Sequence, residues 1–149
     1  MIGLLQRVSS ARVDVDGIRI AGIDAGLLVF VGVQRHDNEA VAQRLLDRLL
    51  GYRFFADSAG RMNCSVSDIR GGLLLVPQFT LAADTGKGTR PGFSSAASPA
   101  DGRRLFDYLV TRARSRHGPV ACGRFGADMQ VALINDGPVT FMLEVKPRQ

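Results

Sequence analysis

"LINDGPVTFMLEV", residues 133–145, reads as a β-strand interrupted near its start. Val139, Phe141, Leu143 and Val145 alternate with Thr140, Met142 and Glu144, the period of a half-buried strand. Ahead of them Leu133 and Ile134 run into Asn135-Asp136-Gly137, three residues that favour turns. Where a hairpin would begin its return strand stands Pro138, which has no N–H to give to a ladder. The interruption weakens a strand that otherwise pairs well, and the pattern alone does not say why.

Outward from this stretch, strands and helices alternate. Two strands near 120–125 and 129–134 lead into it. "SPADGRRLFDYLVTRARSRHGP" (98–119) predicts a helix, with Ser98 as N-cap, Pro99 at the first helical position and Asp101 where a capping-box carboxylate sits. Leu105, Phe106, Leu109, Val110 and Ala113 form its apolar stripe, and Gly118-Pro119 stops it. A second helix is expected over 36–52, its apolar face carrying Val41, Leu45, Leu46, Leu49 and Leu50. Asp37 or Asn38 caps its start and Gly51 ends it. "ARVDVDGIRIAG" (11–22) alternates and turns at Asp16-Gly17, a hairpin signal. "GLLVFVGV" (26–33) is a continuous apolar run and reads as a central strand; 52–57 and 71–81 also read as strands. The pattern predicts a compact α/β fold of mainly antiparallel sheets with two packed helices, residues 1–149 forming one domain.

The chain has 149 residues, 46% hydrophobic and 22% charged, ordinary values for a soluble globular protein. Its longest apolar run, 25–33, is far short of a bilayer span, and the first ten residues lack a signal peptide's pattern. A cytoplasmic location is the simplest reading, with no membrane partner. The formal charge is +5, and of nineteen basic residues only Lys87 and Lys146 are lysine. Arginine favours bidentate phosphate contacts, yet the same excess also fits a compositional bias on a solvated surface.

Conventional catalytic arrangements are missing. His36 and His117 are the only histidines, Cys64 and Cys122 the only cysteines, and no spacing resembles a metal site. His117 falls where a helix end would use an imidazole as a cap, and His36 falls in a loop. Ser94, Ser95 and Ser98 lack the nucleophile-elbow context. "DTGKGTRPG" (84–92) is rich in glycine but does not match a P-loop; Lys87 and Arg90 fit a phosphate-contacting loop and a plain surface loop equally well. In "VPQFTLAAD" (76–84) the period of two puts Gln78 and Thr80 on one face with Phe79 opposite, either a small polar pocket or a strand leaving the core.

Taken together, "PQFTLAADTGKGTRPGFSSAASP" (77–99) and "NDGPVTFMLEV" (135–145) resemble the D-aminoacyl-tRNA deacylase family, also called D-tyrosyl-tRNA deacylases. "MIGLLQRVSSARV", "GLLVFVGV", "LLGYRFFAD", "GRMNCSV" and "GRFGADMQVALINDGPVT" fit the family's pattern in the same order, so the resemblance covers essentially the whole chain. It implies an α/β homodimer and an enzyme without metal or organic cofactor. The implied reaction is hydrolysis of the ester joining a D-amino acid, or mischarged glycine, to the terminal adenosine of tRNA. By the same resemblance Gly137-Pro138 is a cis pair that one subunit presents to the other's pocket. Its carbonyls face the α-carbon of the substrate and turn away an L side chain. Gln78, Phe79 and Thr80 line the pocket for the 3′ adenosine and ester, with the N–H groups of Phe79 and Thr80 as oxyanion donors. Met129 packs under the adenine and Arg7 holds the Gly-Pro loop by bonding backbone oxygens. The ribose 2′-hydroxyl assists catalysis; direct attack by Thr80 is the lesser alternative.

One position departs from the pattern. Many members carry serine before QFT, and this chain has Pro77, which removes a hydroxyl and an N–H. A related branch with relaxed chirality also has proline there, but it lacks the phenylalanine at position 79 and differs around its Gly-Pro. Strict D-specificity is therefore the expectation. A non-catalytic RNA-binding module and an esterase of free metabolites are the rival readings.

Overall fold

The computed structural model describes residues 1–149. The chain opens with β1 (Ile2–Val15) and reverses into β2 (Ile18–Ile23). The two turn residues, Asp16 and Gly17, have φ of 50° and 76°, the conformation a tight hairpin needs and Asp-Gly adopts readily. Then come β3 (Gly26–Gly32), α1 (Glu39–Gly51), β4 (Phe55–Ala56), β5 (Met62–Cys64) and a single helical turn, α2 (Val66–Ile69). β6 (Gly72–Pro77) is followed by a 3-10 turn over Phe79–Ala82, then α3 (Pro99–Arg116), β7 (Val120–Cys122) and β8 (Gln130–Glu144).

The main sheet runs β2-β1-β3-β6-β7, with β8 also paired to β1. β1 is antiparallel to β2, β3 and β8, which agrees with the expected hairpin-rich sheet. The centre differs from expectation, because β3–β6 and β6–β7 are parallel. Parallel neighbours need a crossover, and α1 lies in the connection before β6 while α3 lies in the one before β7. "GLLVFVG" and "GLLLVP" are continuous apolar runs because both faces of these strands are covered. On one face Leu27, Val29, Leu73 and Leu75 join the buried stripes of α1 and α3. On the other, Leu28, Leu74 and Val76 meet Val13 and Ile23 from the far half of the hairpin.

Local chemistry sets the helix ends. Asn38, not Asp37, caps α1, its Oδ1 accepting the Val41 N–H at 3.0 Å. Asp37 instead accepts from the buried Met1 ammonium at 2.8 Å and from the Gln34 N–H at 2.7 Å. Burial pushes that ammonium below its usual pKa and the Asp37 carboxylate pulls it back up. Gly51 is the last helical residue, where the sequence places the stop, and Tyr52 is the C-cap. In α3, Ser98 Oγ accepts the Asp101 N–H at 3.2 Å with Pro99 in the first turn, as the sequence predicts. His117 caps its end, its N–H bonding Ala113 O and its Nε2 lying 2.7 Å from Gly71 O. The strand expected over 52–57 shrinks to two residues in a small separate hairpin with β5. α2 is a third helix held by a capping box, Ser65 with Asp68.

Candidate active site

β6 does not run on through Gln78 and Thr80. It ends at Pro77, where Gln78 N–H donates to Val31 O at 2.8 Å, and the chain then winds into the 3-10 turn. The period-two argument for these side chains therefore fails, because they leave a helical turn and not a pleat. Gln78 and Thr80 still meet: the Gln78 side-chain amide donates to Thr80 Oγ1. The first N–H groups of such a turn have no carbonyl behind them. The turn's own bonding begins with Leu81 N–H to Gln78 O, at 3.2 Å, so the N–H groups of Phe79 and Thr80 stand ahead of it.

Beside this turn lies a cavity of about 470 Å³, within the usual range for small-ligand sites. It opens at the carboxyl ends of parallel strands β3 and β6, the edge where α/β sheets hold ligands. Val33, Val76, Phe106, Phe125 and Met129 make it largely apolar, with Gln78 and Ser98 among the few polar walls. Two glycines keep it open. A Cβ on Gly123 would lie 2.8 Å from Met129 Sδ, and one on Gly102 would lie 3.3 Å from Phe125 Cζ. Arg103 caps the Phe125 wall, its guanidinium carbon 5.1 Å from the ring centroid.

The interrupted stretch is not a hairpin. β8 passes straight through it, still antiparallel to β1, with Gln6 opposite Thr140 and Val8 opposite Asn135. Four residues, 136–139, thus face the single residue Arg7 and are pushed out as a bulge. The expected turn becomes a bulge because β1 is long enough to pair β8 on both sides of it. Asn135 closes the neck: its Oδ1 accepts the Val139 N–H at 3.0 Å and its Nδ2 donates to Thr140 Oγ1 at 2.8 Å. From the opposite strand Arg7 Nε donates to Asp136 O and Nη1 to Phe54 O, each at 3.0 Å. At the tip Gly137 has φ of +134° and is joined to Pro138 by a cis peptide, and both residues are exposed. A Cβ on Gly137 would meet Val139 Cγ2 at 2.7 Å and Arg7 Nη2 at 3.0 Å, so glycine is required here.

Of the residues singled out from sequence, Gln78, Phe79 and Met129 line the cavity, and Thr80 adjoins it through Gln78. Pro77 lines it too. Arg7, Gly137 and Pro138 form a second cluster that is not part of this wall. Phe125 and Gly102 were missed by sequence reasoning. The glycines flanking Phe125 and a glycine in the first turn of a helix are the signals that would have found them.

The model of the family described as D-Tyr-tRNA(Tyr) deacylase matches residues 4–144. A D-aminoacyl-tRNA deacylase of Stutzerimonas stutzeri (strain A1501) is 64% identical over 144 residues, covering 97% of this chain and 99% of that protein. One from Thioalkalivibrio sulfidiphilus (strain HL-EbGR7) is 65% identical over 147 residues, covering 99% of each. Among solved structures, one described as c-Myc DNA Unwinding Element Binding Protein superposes with a TM-score of 0.94 at 33% identity, covering 99% of this chain and 100% of that one. A probable eukaryotic D-amino acid tRNA deacylase shares the fold with a TM-score of 0.78 at 16% identity, covering 95% and 97%. With its β3–β6 cavity, its bulged β8 and a family match over almost its whole length, this chain belongs to the D-Tyr-tRNA(Tyr) deacylase family.

Proposed function

We propose that this chain is a D-aminoacyl-tRNA deacylase that also clears glycine mischarged on tRNA. Family membership at 64–65% identity to two deacylases supports the reaction class. Water adds to the ester carbonyl, the carbonyl oxygen takes up negative charge, and collapse releases the amino acid and the 3′-hydroxyl of the terminal adenosine. The N–H groups of Phe79 and Thr80, at the start of the 3-10 turn, suit that oxyanion, and the apolar wall with Met129 and Phe125 suits an adenine. Thr80 Oγ1 accepts a bond from Gln78 and has no histidine beside it, which favours assistance by the ribose 2′-hydroxyl over attack by threonine.

The observation that carries the finer reading is that the cavity and the Gly137–Pro138 bulge are separate within one chain. A second copy would bring them together: the bulge is exposed and rigidly braced, and β8 is a long strand with one unpaired edge. Ile134, Phe141 and Met142 on β8 are exposed apolar residues suited to a homodimer interface. In that dimer the bulge of one copy faces the substrate α-carbon in the other and rejects an L side chain by contact with backbone. Pro77 offers neither hydroxyl nor N–H to this chemistry, so it falls to the backbone donors that follow it.

The test is a deacylation time course on D-tyrosyl-, L-tyrosyl- and glycyl-tRNA with chelator present, alongside a measurement of mass in solution. Loss of the D and glycyl esters with the L ester spared, from a dimer, is expected. Equal loss of D and L esters would leave the enzyme but remove the filter. Binding of charged tRNA without turnover would make the protein an RNA-binding module.

A further inference from the structure

Next to the cavity, beyond Phe79, the loop left open by its sequence has a defined shape. Asp84 and Gly92 pair across its neck, with Asp84 N–H to Gly92 O at 2.7 Å and Gly92 N–H to Asp84 O at 2.9 Å. Asp84 Oδ1 also accepts the Gly86 N–H at 2.9 Å, and Gly88 turns the tip with φ of +66°. Seven residues, 85–91, therefore project from a pinned base and carry Lys87 and Arg90 into solvent. Neither cation is in an ion pair, whereas Arg12, Arg104 and Arg116 each meet a carboxylate. Immediately after the neck stands Phe93, 44% exposed, its ring 5.3 Å from that of Phe79, itself 58% exposed. Phe79 is also a wall of the cavity. A two-ring apolar platform thus runs from the cavity mouth to a loop bearing two free cations.

Exposed aromatic rings of this size, left side by side in water, are unfavourable unless something flat covers them. Free cations at the end of the same platform call for phosphate. Stacking surface beside a cationic strip is how proteins hold single-stranded nucleic acid. We infer that Phe93 with Phe79, Lys87 and Arg90 forms a subsite for the single-stranded RNA that precedes the terminal adenosine, a base stacking on the rings and its phosphates meeting the loop. This rests on the deacylase reading, since the adenosine in the cavity sets where the strand leaves. Lys87 lies three residues from the neck, a reach of at most about 10 Å, so the loop tip serves the first nucleotides beyond the cavity and not the distant stem.

The test measures binding and turnover separately. An uncharged RNA stem-loop ending in single-stranded ACCA, and the same stem-loop blunt, are titrated by fluorescence anisotropy against wild type, K87Q/R90Q, F93A and F93W. The wild type should prefer the overhang. K87Q/R90Q should weaken that preference and flatten the salt dependence by about 0.7 in log–log slope for each phosphate that the loop no longer neutralises. F93A should bind the overhang about tenfold more weakly, the scale of one base stack, and F93W should restore it. With D-tyrosyl-tRNA the defect should fall on KM, with kcat retained at saturation. Equal binding of both RNAs by every protein would overturn the subsite, as would an F93A variant that changes the oligomeric state and leaves RNA affinity intact. A wild type that prefers the overhang but hydrolyses no D-tyrosyl-tRNA would instead overturn the deacylase reading and keep the subsite.

Discussion

The cavity at the end of β6 and the bulge on β8 are built in opposite ways. The cavity is concave and apolar, and its shape comes from core residues such as Val76 and Phe106 that are buried for the sake of the fold. The bulge is convex and exposed, has almost no core of its own, and keeps its shape through bonds donated by Arg7 and through Asn135, which accepts from Val139 N–H and donates to Thr140. A site formed by packing tolerates changes that preserve volume. One formed by a few directional bonds is sensitive to a single atom. Damage to the bulge should therefore appear in selectivity, and damage to the cavity in substrate affinity.

The sharpest test of that contrast is Gly137→Ala. The added methyl meets Val139 and Arg7 at a positive φ, so the tip must move. A displacement near 1 Å costs on the order of 10²-fold in well-positioned chemistry. The expected outcome is a fall of that size in the ratio of D- to L-tyrosyl-tRNA hydrolysis, with the far-UV spectrum unchanged. Arg7→Ala should lower the same ratio by less, about tenfold, since Asn135 still holds the neck; losing two charge-assisted bonds should also cost about 2 kcal/mol in urea unfolding. Arg7→Lys should not rescue it, because one ammonium cannot reach both Asp136 O and Phe54 O. Met129→Ala belongs to the other half of the comparison. A KM several-fold higher with kcat and the D/L ratio kept would mark it as a cavity residue, whereas a lost ratio would blur the division.

Thr80→Ala should change kcat by less than about tenfold if the RNA supplies the catalysis. A loss beyond about 10³-fold in single-turnover measurements would place the threonine side chain in the chemistry. The smallest effect is expected far from both regions, at α2. Hydrogen bonds from the Ser65 N–H, then from its hydroxyl, hold Asp68 below its ordinary pKa of 3.8. A carboxyl depressed in the folded state stabilises above its unfolded value and loses that contribution as pH falls through the folded one. Asp68→Asn should melt below wild type at pH 7, and the gap should close in scans taken progressively below pH 4, with selectivity untouched throughout.

Much of the fold was legible residue by residue. The Asp16-Gly17 hairpin, the stripes of α1 and α3 and the Ser98-Pro99 start depend on neighbours within a few positions, and the structure has all of them. Reading failed where partners are distant. Whether an apolar run pairs parallel or antiparallel depends on which crossover returns it to the sheet, so β3 with β6 was not readable from either strand alone. Asn135-Asp136-Gly137 looks like a turn locally, and only the length of β1 opposite it makes it a bulge. Gln78 and Thr80 keep the company that the period of two predicted, but a 3-10 turn beginning after Pro77 brings them together.

The sequence by itself therefore determined the local elements, their caps, and the two odd stretches that carry the family resemblance, because each is set by short-range sterics and hydrogen bonding. The tertiary structure alone decided that Phe125 and Gly102 join Met129 in one cavity and that the stretch Arg7 braces is a bulge in a continuous strand. These groups lie far apart in the chain, and only the pairing of whole strands and the packing of α3 on the sheet set the distances between them.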